Sequence, residues 1–136
     1  MPFKMRVLAY HGAKALGLFS LSRYLTRKEL AILCFHGVSI GDESAFKPML
    51  FMDAKTFRQR LELLRRMNIA VLRIEDALDR LYSGQLNERT IAITFDDGFY
   101  GNFAHTRDLF VHYGFPATLY LTTYYVDYAN PIFRLA

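Results

Sequence analysis

Residues 90–98 read TIAITFDDG, an apolar run that ends in two adjacent carboxylates and a glycine. The apolar part, Thr90–Phe95, predicts a short buried strand. Asp96 and Asp97 then stand at its carboxyl end, where like charges repel and apolar neighbours screen that repulsion poorly. The pair therefore needs an explanation, either as a polar turn or as a site that uses two acids in different roles.

Short apolar segments and helical patterns alternate along the rest of the chain. Continuous apolar runs predict three further strands, at Leu30–Phe35, 69–72 and 117–121. The first of these should be buried on both faces, with Cys34 as a small core residue. Residues 38–50 predict a surface loop, because glycine, aspartate, serine and proline all occur there.

Helical patterns fill the segments between the predicted strands. Asp53 can cap a helix whose apolar stripe is Phe57, Leu61 and Leu64. Further helices are predicted over Ile74–Tyr82 and over 102–113. In the last of these, the residues expected inward are Phe103, Phe110 and Tyr113, with Gly114 at its end. This order of elements predicts parallel strands connected by crossover helices.

In parallel α/β folds, functional residues gather on the loops that follow the carboxyl ends of the strands. His36 follows the first predicted strand, and Asp96 and Asp97 follow the third, so all three are expected on one rim. His36 fits both a hydrogen-bonded structural residue and a site residue. His105 and His112 stand seven apart on a predicted helix away from the rim, which favours a packing or solvent-exposed role.

The acidic pair has two interpretations. Asp-Gly favours a tight hairpin between alternating strands, but a helix follows here, so that context is missing. Asp97 or Asn102 could simply cap the next helix. Alternatively, the turn at Gly98 brings both carboxylates to one cavity, where a divalent cation would compensate their charge. Acids at strand ends also surround magnesium in phosphotransfer folds.

Composition limits the class of protein. The chain has 136 residues, 52% of them hydrophobic, which suits one small domain and excludes a disordered chain. It shows no apolar run long enough to predict a membrane-spanning helix, and no convincing signal peptide, so the compartment stays undetermined. Cys34 is the single cysteine, which excludes an intramolecular disulfide and a cysteine-based zinc cluster.

Positive charge is concentrated at the start of the chain. Residues 1–28 contain six cations and no acid, whereas the whole chain has a net charge of +4. We therefore separate a basic N-terminal helical segment, 1–28, from a domain over 29–136. The segment fits either a packed helix with a solvated basic face or an amphipathic helix on an anionic membrane surface. Nucleic acid is not an expected partner, because no cluster near the acidic pair interleaves aromatics with cations.

Several motifs in the predicted order resemble the polysaccharide deacetylase (NodB-homology) family of carbohydrate esterases. The motifs are CFHGV at 34–38, IEDAL at 74–78, IAITFDDG at 91–98 and FPATLYL at 115–121. The resemblance covers about residues 30–126. It implies the N-terminal portion of a distorted (β/α) barrel with about four parallel strands and crossover helices.

The resemblance also implies an activity and a division of roles. The family removes acetyl groups from acetylated polysaccharides or oligosaccharides with a divalent metal, commonly zinc. Its first motif aspartate is the catalytic base, which corresponds to Asp96 here. Its second motif aspartate is a metal ligand, which corresponds to Asp97.

This sequence also departs from the family. The remaining family ligands come from a His-x-x-x-His motif, yet His105 and His112 are the only histidines after Asp97. Four strands do not close a barrel, so we expect a domain truncated on its C-terminal side and inactive as this chain. Two alternatives remain: a non-catalytic remnant or interaction domain, and a magnesium-dependent phosphotransfer enzyme. The oligomeric state, the sugar polymer, and N- versus O-deacetylation are undetermined.

Overall fold

The computed structural model describes residues 3–128 as an α/β chain. Its helices are α1 (Phe3–Ala15), α2 (Leu18–Leu25), α3 (Glu43–Phe46), α4 (Ala54–Arg66), α5 (Ile74–Tyr82), α6 (Tyr100–Tyr113) and α7 (Thr123–Asp127). Its strands are β1 (Leu30–Phe35), β2 (Gly37–Val38), β3 (Phe51–Met52), β4 (Ala70–Leu72), β5 (Thr90–Phe95) and β6 (Thr118–Leu119).

Strand β5 is the centre of the main sheet, and all of its residues are buried. Strand β1 runs parallel to it along its whole length, from Leu30 opposite Thr90 to Phe35 opposite Phe95. Strand β4 pairs with its first half and β6 with its end, again in parallel. The predicted parallel sheet with helical crossovers is therefore confirmed. Strands β2 and β3 form a separate parallel pair.

Helix α4 packs its predicted stripe against one face of the main sheet. Phe57, Leu61 and Leu64 are buried and share a core cluster with the odd-numbered residues of β5. Full burial of such side chains contributes about 1.5–3 kcal/mol each. Asp53 caps the helix as predicted: its Oδ1 accepts from the Thr56 N–H at 2.8 Å. Hydrogen bonds from Thr56 hold the pKa of Asp53 below its usual range.

The prediction that β1 is buried on both faces is wrong. Ala31, Ile32 and Cys34 are exposed, and only Leu33 and Phe35 pack against the core cluster. Among the described residues β1 pairs with β5 alone, so it is an edge strand. Cys34 is consequently an exposed residue rather than a core residue.

Helix α6 also differs from its predicted form. It begins after Phe99, so Asn102 lies inside the helix and caps nothing, and Asp97 lies before its first turn. Phe103 is exposed, whereas Phe110 and Tyr113 are half-buried. The buried residues are instead Gly101, Asn102, Thr106 and Leu109: Gly101 and Asn102 contact Val38 of β2, and Leu109 joins the core cluster. Gly114 ends it in the left-handed conformation, as predicted.

Two further expectations need correction. Residues 38–50 are not purely a loop, because they include the end of β2 and the short helix α3. The basic N-terminal segment is not one packed helix: it forms α1 and α2, and neither contains a buried residue. No helix in the described range, 3–128, is long and apolar enough to span a bilayer.

Candidate functional site

The rim predicted from the sequence forms where β1 and β5 end side by side. Phe35 lies opposite Phe95, and the next residue, Asp96, donates its backbone N–H to the Phe35 carbonyl oxygen at 2.9 Å. His36 therefore leaves β1 at the level where Asp96 leaves β5. His36 and the acidic pair thus lie at the same end of the sheet, where the carboxyl ends of β1 and β5 meet.

The acidic pair lies in a sharp turn. Asp97 has φ 66° and Gly98 has φ 73°, so two successive residues adopt the left-handed conformation. The Gly98 N–H donates to the Asp96 carbonyl oxygen at 2.9 Å and closes the turn. The positive φ at position 98 favours glycine, and a Cβ there would lie 2.5 Å from Leu121 Cδ2, so the end of that exposed side chain would have to move.

Asp97 is the unusual residue of this turn. A non-glycine residue with positive φ is uncommon, although aspartate tolerates it better than most. Such strain costs about 1–3 kcal/mol and is found most often at functional sites. The turn separates the two carboxylates, because Asp96 still belongs to the hydrogen-bonded strand end whereas Asp97 already lies in the turn.

Asn102 joins the rim loop that follows β1 to helix α6. Its Oδ1 accepts from the Val38 N–H at 3.0 Å, and its Nδ2 donates to the His36 carbonyl oxygen at 2.7 Å. Asn102 is 3% exposed; its bond to Val38 is buried, so water does not replace it, and its bond to the His36 carbonyl is part-buried. One side chain therefore fixes the backbone on both sides of Gly37, and with it the position of His36.

Close packing reinforces this connection. Gly101 lies against the Val38 carbonyl, and a Cβ there would overlap that oxygen. The Phe99 ring packs edge-on against Phe51 of β3, with ring centroids 4.9 Å apart. Helix α6, which follows the acidic turn, is thus held against the β2–β3 pair through its first turn.

Cys34 contacts the acidic pair from the neighbouring strand. Its Sγ donates to Asp96 Oδ2 at 3.2 Å. Although the residue is exposed overall, partial burial of the thiol raises the pKa of Cys34, and the bond to Asp96 raises it further. A thiol that stays protonated is a donor to Asp96 rather than a nucleophile or a metal ligand.

A cleft of about 320 Å³ opens beside this rim, on the β1 side. Cys34, His36 and Arg60 give it polar groups, and Met49 and Phe51 give it apolar walls. His36 thus faces a space that could admit a small ligand group.

The described residues do not complete a metal site. Among residues 3–128, no cluster brings together three His, Cys, Asp or Glu side chains suited to a metal ion. Three protein ligands are usual for catalytic zinc. His105 and His112 do not help, because both lie on α6: the Nε2 atom of His105 is buried without a hydrogen-bond partner there, and the His112 ring packs on Tyr113. The residues present therefore do not fit a complete zinc centre.

The sequence indicates Asp96, Asp97 and His36 as rim residues but does not indicate Asn102 and Cys34 as their neighbours. It predicts instead a helix cap for Asn102 and a core residue for Cys34. The signal that could have found Asn102 is its polar amide on a helix that begins directly after the acidic turn.

Comparison with known proteins agrees with the motif resemblance. A family model described as polysaccharide deacetylase matches residues 83–135. No curated protein matches the sequence at a significant level.

Solved structures share the fold. A Streptococcus pyogenes deacetylase, PplD in complex with acetate, superposes with a TM-score of 0.65 at 19% identity over 74% of this chain and 46% of that one. IcaB from Ammonifex degensii superposes with a TM-score of 0.58 at 22% identity over 68% of this chain and 37% of that one. A de-N-acetylase from Aggregatibacter actinomycetemcomitans superposes with a TM-score of 0.61 at 19% identity over 72% of this chain and 39% of that one.

These likenesses confirm the resemblance to polysaccharide deacetylases and the fold, a portion of a deacetylase-type (β/α) barrel. The chain spans less than half the length of each of these solved proteins. That partial coverage agrees with the expectation that it carries part of such a domain.

Proposed function

We propose that this chain contributes the β1–β6 part of a metal-dependent deacetylase that removes acetyl groups from a carbohydrate polymer. The observation that carries the proposal is the rim itself. The TFDDG motif adopts a strained turn, and a parallel, in-register neighbour places His36 beside it. The family match at 83–135 supports the same assignment.

Asp96 is proposed as the catalytic base. Its backbone is fixed by the bond to Phe35, and its Oδ2 accepts from the Cys34 thiol. A carboxylate held in this way can take the proton of a water that attacks the acetyl carbonyl carbon. The Cys34 bond fixes the orientation of the carboxylate and leaves its other oxygen, Oδ1, for that water.

Asp97 is proposed as one ligand of a divalent metal, with zinc the first candidate. The left-handed backbone at Asp97 turns the chain away from the line of β5, so the Asp97 carboxylate need not point in the same direction as that of Asp96. Because residues 3–128 hold no cluster of three ligands, the other ligands would have to come from outside that range. We therefore expect the purified 136-residue chain to release no acetate from acetylated chitooligosaccharides, with or without added zinc.

A non-catalytic role is the second candidate, and the absent three-ligand cluster in the described part of the chain is the observation that favours it. An interaction domain would keep the acidic turn without using it. The magnesium phosphotransfer hypothesis gains nothing from the comparisons, which match deacetylases.

A chimera separates the two candidates. Residues 30–119 would replace the corresponding strands and helices of the S. pyogenes deacetylase, which would supply the rest of the barrel. Circular dichroism would first show that the chimera is folded. The proposed function then predicts that it releases acetate in a metal-dependent way. A folded chimera that binds metal but stays inactive would favour the non-catalytic role.

A further inference from the structure

The N-terminal hairpin, residues 3–25, contains no buried residue in the described part of the chain. Apart from the half-buried Ala13, every residue in this range is exposed. Helices α1 and α2 contact each other, with the rings of Tyr10 and Phe19 5.5 Å apart. Many of the exposed side chains are large and apolar, which is unusual for residues that face only water.

Helix α2 has two opposite faces. Leu18, Leu21 and Leu25 recur at helical spacing and are 48%, 53% and 67% exposed. The other side of the same helical turns carries Ser20 and Arg23, which are hydrogen-bonded at 3.1 Å, and continues to Arg27. The Arg27 guanidinium lies over the Tyr24 ring, 3.9 Å from its centroid. The helix is therefore amphipathic, yet no residue of its apolar face is buried in the described chain.

Charge in this region has one sign. The segment 1–28 contains no acid, and its cations are Lys4, Arg6, Lys14, Arg23, Arg27 and Lys28. No salt bridge among the described residues involves any of them. A second copy that met this one hairpin to hairpin would bring the same positive charge to the interface and would be repelled. The complementary partner is an anionic surface.

We propose that the N-terminal hairpin binds in the plane of an anionic phospholipid membrane, with the leucine face of α2 in the acyl boundary and the cations at the lipid phosphates. Helices with a basic face and an exposed leucine face bind bilayers in this way. Neither α1 nor α2 is long enough to cross the bilayer. Nucleic acid would satisfy the cations but would leave the leucines in water.

Two contributions set the strength of this binding. Each cation near an anionic bilayer adds about fivefold to the partition coefficient at low salt, and added salt screens that gain. Each leucine is already about half covered, so moving the rest of it out of water adds about fourfold or more. Because neither helix has buried residues, changes on them should leave the rest of the chain folded.

The experiment is co-sedimentation of the full 136-residue chain with vesicles, with bound protein quantified and folding checked by circular dichroism. We expect binding to vesicles of phosphatidylcholine with 30% phosphatidylglycerol and at least tenfold weaker binding to pure phosphatidylcholine. Raising salt to 0.5 M should weaken the binding. The triple variant Leu18→Ser, Leu21→Ser, Leu25→Ser and the double variant Arg23→Glu, Arg27→Glu should each lose tenfold or more.

The matched control is Leu63→Ser with Arg65→Glu on α4, which alters an exposed leucine and an exposed arginine outside the hairpin and should bind like the wild type. Equal binding to both vesicle types, or no binding to either, would overturn the proposal. The proposal would also fail if the wild type sediments as a dimer and the leucine variant as a monomer, while both bind vesicles equally. If the leucine variant still binds duplex DNA and the wild type does not bind vesicles, the cations serve to bind nucleic acid instead.

Discussion

Replacing Asn102 with alanine removes the side chain that holds the β1 rim loop to α6. The change leaves the buried Val38 N–H without its acceptor at 3.0 Å and the His36 carbonyl without its donor at 2.7 Å. An unsatisfied buried donor costs about 1–3 kcal/mol, and the half-exposed carbonyl costs less because water reaches it. We therefore expect the free energy of unfolding to fall by about 2–4 kcal/mol.

The assay is urea denaturation followed by far-ultraviolet circular dichroism, since the chain contains no tryptophan. The midpoint should fall by about 1–2 M, given the usual dependence of unfolding free energy on urea. Asn87→Ala is the matched control, because Asn87 is exposed and should change stability by less than about 0.5 kcal/mol. If Asn102→Ala unfolds at the same urea concentration as this control, the two bonds do not hold the rim and the reasoning fails.

Three other substitutions test separate parts of the structure. Gly101→Ala should cost about 1–3 kcal/mol in urea denaturation because its Cβ overlaps a carbonyl of β2, whereas Gly12→Ala, with no atom within 4 Å, should change little; equal midpoints would contradict the packing. The hydrogen bonds that cap α4 lower the pKa of Asp53. The ionised carboxylate therefore stabilises the fold at pH values above the usual carboxyl pKa, and this stabilisation is lost as the pH falls through the lowered pKa. Wild type should therefore lose stability relative to Asp53→Asn on acidification, and parallel pH profiles would refute this. Asp96→Asn should lower the pKa of Cys34 and speed alkylation by iodoacetamide at pH 8, measured by mass spectrometry; an unchanged rate would argue against the contact.

The sequence predicted the parts of the fold that depend on local patterns. The Asp53 cap, the α4 stripe and the parallel order of strands follow from short-range spacing, and the structure has them. The acidic turn was also predicted, because Gly98 marks it directly.

The errors concern contacts between distant segments. A continuous apolar run such as Leu30–Phe35 is the same in a central strand and in an edge strand, so its exposure depends on what pairs with it. The bonds of Asn102 reach residues 64 and 66 positions away, and no local pattern encodes them. The Cys34–Asp96 contact likewise exists only because β1 and β5 align in register.

Metal content and activity, measured together in the chimera, test the proposed roles of the two carboxylates most directly. Asp96→Asn should keep bound zinc, measured by mass spectrometry of the metal, and lose acetate release by about 10²–10⁴-fold. Asp97→Asn should lose the zinc itself, and Asp108→Asn, an exposed carboxylate on α6, should change neither. Full zinc content in Asp97→Asn, or normal acetate release by Asp96→Asn, would contradict the division of roles between the two aspartates.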